Sequence, residues 1–117
     1  KAEFTLGEQI WDYLYSEDAA RALLLLAEKG KEGKIYVLGS GETRKLRNYI
    51  EIIGEEASAF TGKKTELDFG AVSYGENQVM YLSADIKELC KDTGFIPEVS
   101  FREGIRKTIS KVANAER

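Results

Sequence analysis

The side chains that could do chemistry in this chain are few, and the types that are missing narrow the choice of reaction. The 117-residue sequence contains no histidine, which excludes a Ser-His-Asp triad and the commonest zinc ligands. Its single cysteine, Cys90, has no histidine to activate the thiol and no partner for an internal disulfide. We therefore predict no catalytic residue and no metal site. We expect Cys90 to be a buried small apolar residue in a protein of the reducing cytoplasm.

One glycine-containing turn could hold a phosphate. Gly39-Ser40-Gly41 follows the continuous apolar run 35–38 and precedes a helical pattern, which is where dinucleotide-binding turns occur. The remaining glycine of such a fingerprint is missing, because Thr43 and Arg44 stand there. The pattern favours a tight strand-to-helix turn over a phosphate cradle, so we predict no cofactor-binding residue.

Four carboxylates receive structural interpretations. Asp12 lies among aromatic residues, where an isolated carboxylate is costly unless it is hydrogen-bonded, so we predict that it anchors its strand to a neighbouring backbone. Asp85 precedes a helical pattern and is predicted to cap it. Glu55 and Glu56 are predicted to lie on a solvated helix face.

The elements that must position these residues are short strands and about four helices. Alternating or continuous apolar residues predict strands within 4–15, 35–38, 64–69 and 79–82. Helical spacing predicts helices after Ser16, through 46–57, after Asp85 and after Ser100, with these three polar residues as N-caps. The first helix is apolar almost all round, which predicts that it lies between two layers, and Gly30 and Gly94 are predicted helix ends. The fold class is therefore α/β.

Charge and hydropathy exclude two kinds of partner. The net charge is −3, with basic residues scattered among acidic ones, whereas a nucleic-acid surface needs clustered Lys and Arg. No apolar run approaches the roughly 20 residues that span a bilayer. We therefore expect neither nucleic acid nor a membrane as a partner.

Four segments, in order, resemble the extended short-chain dehydrogenase/reductases, the NAD-dependent epimerases and dehydratases of nucleotide sugars. The resemblance lies in 9–22, an aromatic strand around Asp12-Tyr13 that runs into a small-residue helix, in Tyr36-Val37-Leu38-Gly39-Ser40-Gly41, in 85–89, and in 94–105 with its Gly-Phe-Ile-Pro start. It covers nearly the whole chain. It implies the carboxyl-terminal, substrate-binding portion of a Rossmann-like enzyme over 1–117, with the amino-terminal NAD-binding half absent. Since the chain begins at Lys1 without a methionine, we expect a fragment.

The resemblance also implies what the chain lacks. Such enzymes bind NAD or NADP on the amino-terminal half and move a proton through a Tyr-x-x-x-Lys pair. The nearest spacing here, Tyr74 to Gln78, ends in an amide. We expect this chain alone to hold no cofactor and to turn over no substrate.

The substrate-binding candidates come from the same resemblance. Similar enzymes grip a diphosphate with an Arg directly before the Asp-aromatic pair and with a second Arg about ten residues before the Asp-x-x-Lys helix. Trp11 occupies the first place, and the second falls within 74–78, which has no Arg. Trp11 could stack on a sugar or base, or simply pack. Tyr74, Asn77 and Gln78 could contact ligand hydroxyl groups, or form a solvated turn before a strand.

The leading hypothesis is the substrate-side portion of a nucleotide-sugar epimerase, dehydratase or reductase. The alternatives are a non-catalytic binding or scaffold module that keeps the fold, and a purely structural fragment. The helix 23–26 and the strand 35–38 normally pack against a sheet that this chain does not encode. We therefore expect a homo-oligomer or a domain swap that covers them.

Overall fold

The computed structural model describes residues 1–115, which form four helices and four short strands. The helices are α1 (Ser16–Lys29), α2 (Leu46–Thr61), α3 (Lys87–Thr93) and α4 (Phe101–Ala115), and the strands are β1 (Ala2–Phe4), β2 (Ile10–Trp11), β3 (Arg44–Lys45) and β4 (Leu67–Phe69). The α/β class with short mixed strands and about four helices is confirmed.

The strands form two separate pairs. β1 lies parallel to β4, with Phe4 opposite Phe69. β2 lies antiparallel to β3, with Ile10 opposite Lys45 and Trp11 opposite Arg44. The predicted strand 79–82 reaches β2 only through one parallel bridge between Ile10 and Tyr81. This bridge brings the segment after residue 74 alongside β2.

The predicted strand 35–38 is wrong for this structure. Its residues carry no strand assignment, because a strand requires a hydrogen-bonded neighbour and no described residue pairs with this segment. Ile35 is 91% exposed and Val37 is 51% exposed, whereas Tyr36 and Leu38 pack against the core. The segment is extended and has one apolar side in solvent.

The helix caps follow the sequence only in part. Ser16 is the first residue of α1 and makes no capping hydrogen bond, so that prediction is wrong. Ser100 does cap α4, since its Oγ accepts a hydrogen bond from the Glu103 amide at 3.2 Å. Asp85 is not the N-cap of α3, so that prediction is wrong: the N-cap is Ile86, which makes no side-chain capping bond. The Asp85 carboxylate still accepts a hydrogen bond from the Lys87 amide at 3.1 Å. Gly30 and Gly94 end α1 and α3 as predicted, and Gly94 has the positive φ of 73° that favours glycine.

The core is small and is built where α1 packs against α3. Ala22, Leu89 and Phe95 are almost fully buried there. The outward side of α1 is not covered, since Leu23 and Leu24 are 57% and 61% exposed. Within this chain α1 is therefore covered on one side only, in contrast to the layered packing predicted for it.

Two further predictions need correction. Glu56 is not on a solvated face: it is 8% exposed and receives hydrogen bonds from Arg102 and Arg106 of α4, each at 2.8 Å. Those two guanidinium groups hold the pKa of the Glu56 carboxyl below its ordinary value. Cys90 is half-buried rather than buried. No helix in the span 1–115 is long and apolar enough to cross a membrane.

Candidate functional site

Asp12, which directly follows β2, holds the turn 39–41 in place through hydrogen bonds. Its Oδ1 accepts hydrogen bonds from the Ser40 amide at 2.9 Å and the Ser40 hydroxyl at 2.6 Å, and its Oδ2 accepts one from the Gly41 amide at 3.0 Å. The predicted anchoring role of Asp12 is confirmed. A phosphate would need the same amides, so the described residues of this turn do not fit a dinucleotide.

Trp11 is held in place by its polar atom. The indole Nε1 donates to the Val79 carbonyl at 3.0 Å, and the ring meets Tyr13 edge to face with centroids 6.4 Å apart. Because the Nε1–H already has an acceptor, Trp11 can offer a ligand only its ring surface. The side chain is half-buried.

Tyr74 lies next to the residues that precede β2. Its hydroxyl accepts a hydrogen bond from the Glu8 amide at 3.0 Å, which closes the segment 74–79 over the turn before β2. The Gln78 backbone amide donates to the Gly75 carbonyl at 3.2 Å, and its side-chain amide contacts the carbonyl of its neighbour Val79 at 3.5 Å. Asn77 is exposed. Trp11, Tyr74 and the 77–78 turn are thus linked through one short segment.

A second region of interest is an aromatic cluster formed by Tyr13, Tyr49 and Phe101. Tyr49 packs between Tyr13 and Phe101, with ring centroids 4.9 and 4.5 Å away. The Tyr49 hydroxyl donates to the Trp11 carbonyl at 3.0 Å. Burial raises the pKa of both Tyr13 and Tyr49, so both phenols stay protonated at neutral pH.

Two neighbouring clefts open beside this cluster and share Tyr13 and Phe101. One, of about 350 Å³, has a polar lining that includes Ser40, Glu42 and Arg44, and we call it the polar cleft. The other, of about 280 Å³, is lined mostly by apolar groups between residues 13–16 and the start of α4. Neither cleft is lined by Trp11, Tyr74, Asn77 or Gln78.

Two buried carboxylates tie distant segments together and were missed by the sequence reasoning. The Asp18 side chain is 3% exposed and accepts hydrogen bonds from the Glu98 and Val99 amides at 3.2 and 2.9 Å. Burial acts to raise the pKa of its carboxyl, but these amides and Arg21 hold it below the ordinary value. Asp18 thus fixes the loop that forms one wall of the polar cleft.

The second buried carboxylate is Asp92 on α3. Its Oδ2 lies 2.7 Å from the Lys34 Nζ and accepts a hydrogen bond from the Tyr36 hydroxyl at 2.6 Å. These two bonds lower the pKa of Asp92 to about 2. Lys34 also pairs with Glu88. The group fastens the exposed segment 35–38 to the core at its start.

Only some of the contacts made by these carboxylates could be predicted from the sequence. Asp12 could be interpreted because a carboxylate among aromatic residues demands donors. Asp18, Asp92 and Glu56 occur at ordinary helix positions. They bond to Val99, Tyr36 and Arg102 respectively, which lie 46 to 81 residues away along the chain. The polar cleft depends on the antiparallel pairing of Trp11 with Arg44, and only a two-residue ladder marks that register.

A comparison with protein-family models matches residues 2–39 to the NAD dependent epimerase/dehydratase family. Among curated proteins, CDP-abequose synthase of Salmonella typhimurium is 27% identical over 111 residues, which is 92% of this chain and 36% of that protein. A dTDP-glucose 4,6-dehydratase of Escherichia coli is 31% identical over 113 residues, covering 88% of this chain and 30% of the relative. The chain therefore spans about a third of the length of these relatives.

Solved structures show the same fold. RMD from Pseudomonas aeruginosa, complexed with NADPH, superposes with a TM-score of 0.80 at 24% identity, over 97% of this chain and 36% of that one. A UDP-glucose 4-epimerase from Thermotoga maritima, solved with UDP-glucose, gives a TM-score of 0.79 at 24% identity, over 95% and 34% of the two chains.

Proposed function

Because this chain belongs to the NAD-dependent epimerase/dehydratase family, we propose that residues 1–117 are the carboxyl-terminal, substrate-side portion of a nucleotide-sugar epimerase or dehydratase. The nucleotide-diphosphate sugar is the substrate of the longer enzyme. NAD or NADP is its cofactor and is held by an amino-terminal Rossmann half. The present chain supplies walls of the substrate site and no reacting group.

The coverage of the relatives carries this proposal. About nine-tenths of this chain aligns with enzymes of which it spans only 30–36%. An enzyme of this kind needs a hydride carrier and a proton-transfer residue. The sequence has no Tyr-x-x-x-Lys pair, and the amides of the 39–41 turn already bind Asp12. These observations support a cofactor bound elsewhere in the longer enzyme.

Trp11, Tyr74, Asn77 and Gln78 remain the proposed substrate-binding residues of this portion. Trp11 offers a ring surface next to Tyr13, and the segment 74–79 is fastened beside it through the Tyr74 hydroxyl. In this proposal Trp11 stacks on a base or sugar, and the amides at 77 and 78 meet hydroxyl groups. A single free cysteine is consistent with a protein of the reducing cytoplasm.

The alternative is a non-catalytic binding or scaffold module that has kept the fold. The observation that favours it is the internal satisfaction of the polar residues: Asp12, Asp18, Asp92 and Glu56 all have partners within the chain. Such a module binds a nucleotide sugar on its own, whereas a substrate-side portion binds it only feebly.

Intrinsic fluorescence separates these two functions, because Trp11 is the only tryptophan. We expect UDP-glucose and dTDP-glucose to change the Trp11 emission of the 117-residue chain only at concentrations above about 1 mM, a binding free energy weaker than roughly −4 kcal/mol. Addition of NAD should yield no sugar product. Tighter binding would favour the module, and turnover by this chain would refute the proposal. A Trp11→Phe variant provides the fluorescence blank.

A further inference from the structure

We propose that the polar cleft beside Tyr13 holds the neutral, hydroxyl-bearing sugar ring of the ligand, with Arg44 and Tyr13 as its recognition residues. The inference rests on the proposed function, because it assigns one part of a nucleotide sugar to one part of this chain.

Position follows from the β2–β3 pairing. Trp11 stands directly opposite Arg44, and directly opposed residues of an antiparallel pair project from the same face. Trp11 also meets Tyr13, whose ring lines the cleft together with Arg44. A ligand stacked on Trp11 therefore has the polar cleft next to it.

The cleft walls have spare hydrogen-bonding groups. The Nε and Nη2 of Arg44 both donate to Glu42 Oε1, at 3.0 and 2.8 Å, so Nη1 stays available within the span 1–115. The Tyr13 hydroxyl likewise has no hydrogen bond to any of the residues that the structure describes, and Tyr13 is 42% exposed. The Arg44 Nη1 group, the Tyr13 phenol and the carboxylate oxygens of the lining together can donate to and accept from sugar hydroxyl groups.

Charge and size select a neutral sugar over a phosphate or an organic cation. Three glutamates line the cleft against one arginine, so a diphosphate would meet net negative charge. The rings do not form a cage for a cation, because they pack on one another and Tyr49 is 3% exposed. A volume of about 350 Å³ lies at the low end of small-ligand sites, about 300–1,000 Å³. One sugar ring is therefore the part of the ligand that fits.

The test is an NMR titration of the ¹⁵N-labelled 117-residue chain with glucose, with sodium pyrophosphate and tetramethylammonium as the charged probes. We expect glucose to shift the amide signals of Ser40, Glu42 and Ser100 saturably, with a dissociation constant on the order of tens of millimolar. Neither charged probe should do so. The assignment is overturned if glucose leaves these amides unchanged or if a charged probe shifts them instead.

Variants identify the recognition residues. Arg44→Ala should weaken glucose binding about tenfold or more, and Tyr13→Phe, which removes only the hydroxyl, about threefold. Arg47→Ala is the matched control, because Arg47 is also a surface arginine paired with a nearby glutamate, Glu51, but lies outside the cleft. Equal glucose affinity in wild type, Arg44→Ala and Tyr13→Phe would overturn the proposal.

The two proposals fail separately. Trp11 fluorescence that reports UDP-glucose binding tighter than about 1 mM would overturn the substrate-side function while a glucose response at the cleft stands. Loss of the glucose response with feeble UDP-glucose binding would overturn the cleft assignment alone.

Discussion

Asp12 joins β2 to a turn 28 residues later in the chain. Its two oxygens receive two backbone amides and one hydroxyl, which is close to the full capacity of an ionised carboxylate. Hydrogen bonds to a charged acceptor are stronger than those to a neutral one. The conformation of the 39–41 turn, and with it the Ser40 wall of the polar cleft, therefore depends on one side chain.

Asp12→Asn should lower the free energy of unfolding by about 2 kcal/mol, since an amide has one acceptor oxygen and turns an NH₂ group towards a donor. Urea denaturation measures this change. Glu42→Gln is the control next to the same turn, because within 1–115 the Glu42 side chain pairs with Arg44 alone, and its effect should stay within about 0.5 kcal/mol. Equal losses in the two variants would contradict the special role of Asp12.

The ion pair of Asp92 should make the stability of the fold sensitive to acid in a defined pH range. Its folded-state pKa of about 2 lies below the ordinary 3.8, so its ion pair adds stability above about pH 4, and this contribution is lost as pH falls towards 2. The urea midpoint of the wild-type chain should fall across this window, and Asp92→Asn should flatten that fall while lowering the midpoint at neutral pH. Asp68→Asn, which removes an exposed pair with Lys1, should leave the profile unchanged. An unaltered profile in Asp92→Asn would contradict this assignment.

At the scale of elements, two serines at helix starts differ in their contribution to stability, because Ser100 caps α4 and Ser16 makes no capping bond. Ser100→Ala should cost about 1 kcal/mol, because its hydroxyl satisfies the Glu103 amide at the start of α4. Ser16→Ala should cost less than about 0.5 kcal/mol, because Ser16 makes no capping bond. Thermal or urea unfolding of the two variants tests this, and a larger loss for Ser16 would contradict the observed cap geometry.

Helices and their ends could be predicted from local sequence signals, whereas strand pairing and the partners of buried carboxylates depend on long-range contacts. Gly94, Ser100 and the period of α4 act within a few residues, so the sequence predicts them directly. The segment 35–38 has the composition of a covered strand, but a strand needs a hydrogen-bonded neighbour, and residues 1–115 provide none. The Trp11–Arg44 register and the partners of Asp18 and Asp92 depend on how separate elements meet, which composition does not encode. The candidate site was therefore predicted around Trp11, and the better-formed cleft beside Tyr13 was not.

At the scale of the whole molecule, four apolar side chains remain largely in solvent: Leu23, Leu24, Ile35 and Val37. Fully burying one such side chain stabilises a protein by about 1.5–3 kcal/mol, so association of two copies through these side chains would be favourable. We expect the wild-type chain to show concentration-dependent dimers or larger species by sedimentation velocity.

Ile35→Lys should shift the chain towards monomer, because it places a charge at the most exposed of these four side chains. Val112→Lys is the control, since Val112 is also an exposed apolar residue, at 54%, and lies on α4. A wild-type chain that stays monomeric at high concentration would contradict the expected homo-oligomer or domain swap.

The carboxylate of Asp12 also makes two amide protons into reporters of cooperative opening. The Ser40 and Gly41 N–H groups point at a residue on the other side of α1 along the chain, so exchange with solvent deuterium requires β2 and the turn to part. If α1 and its flanks open as a single unit, these protons should exchange at the same rate as those inside α1. Faster exchange at 40 and 41 would mean that the turn opens while the helix stays closed. The Ser40 wall of the polar cleft would then be less stable than α1.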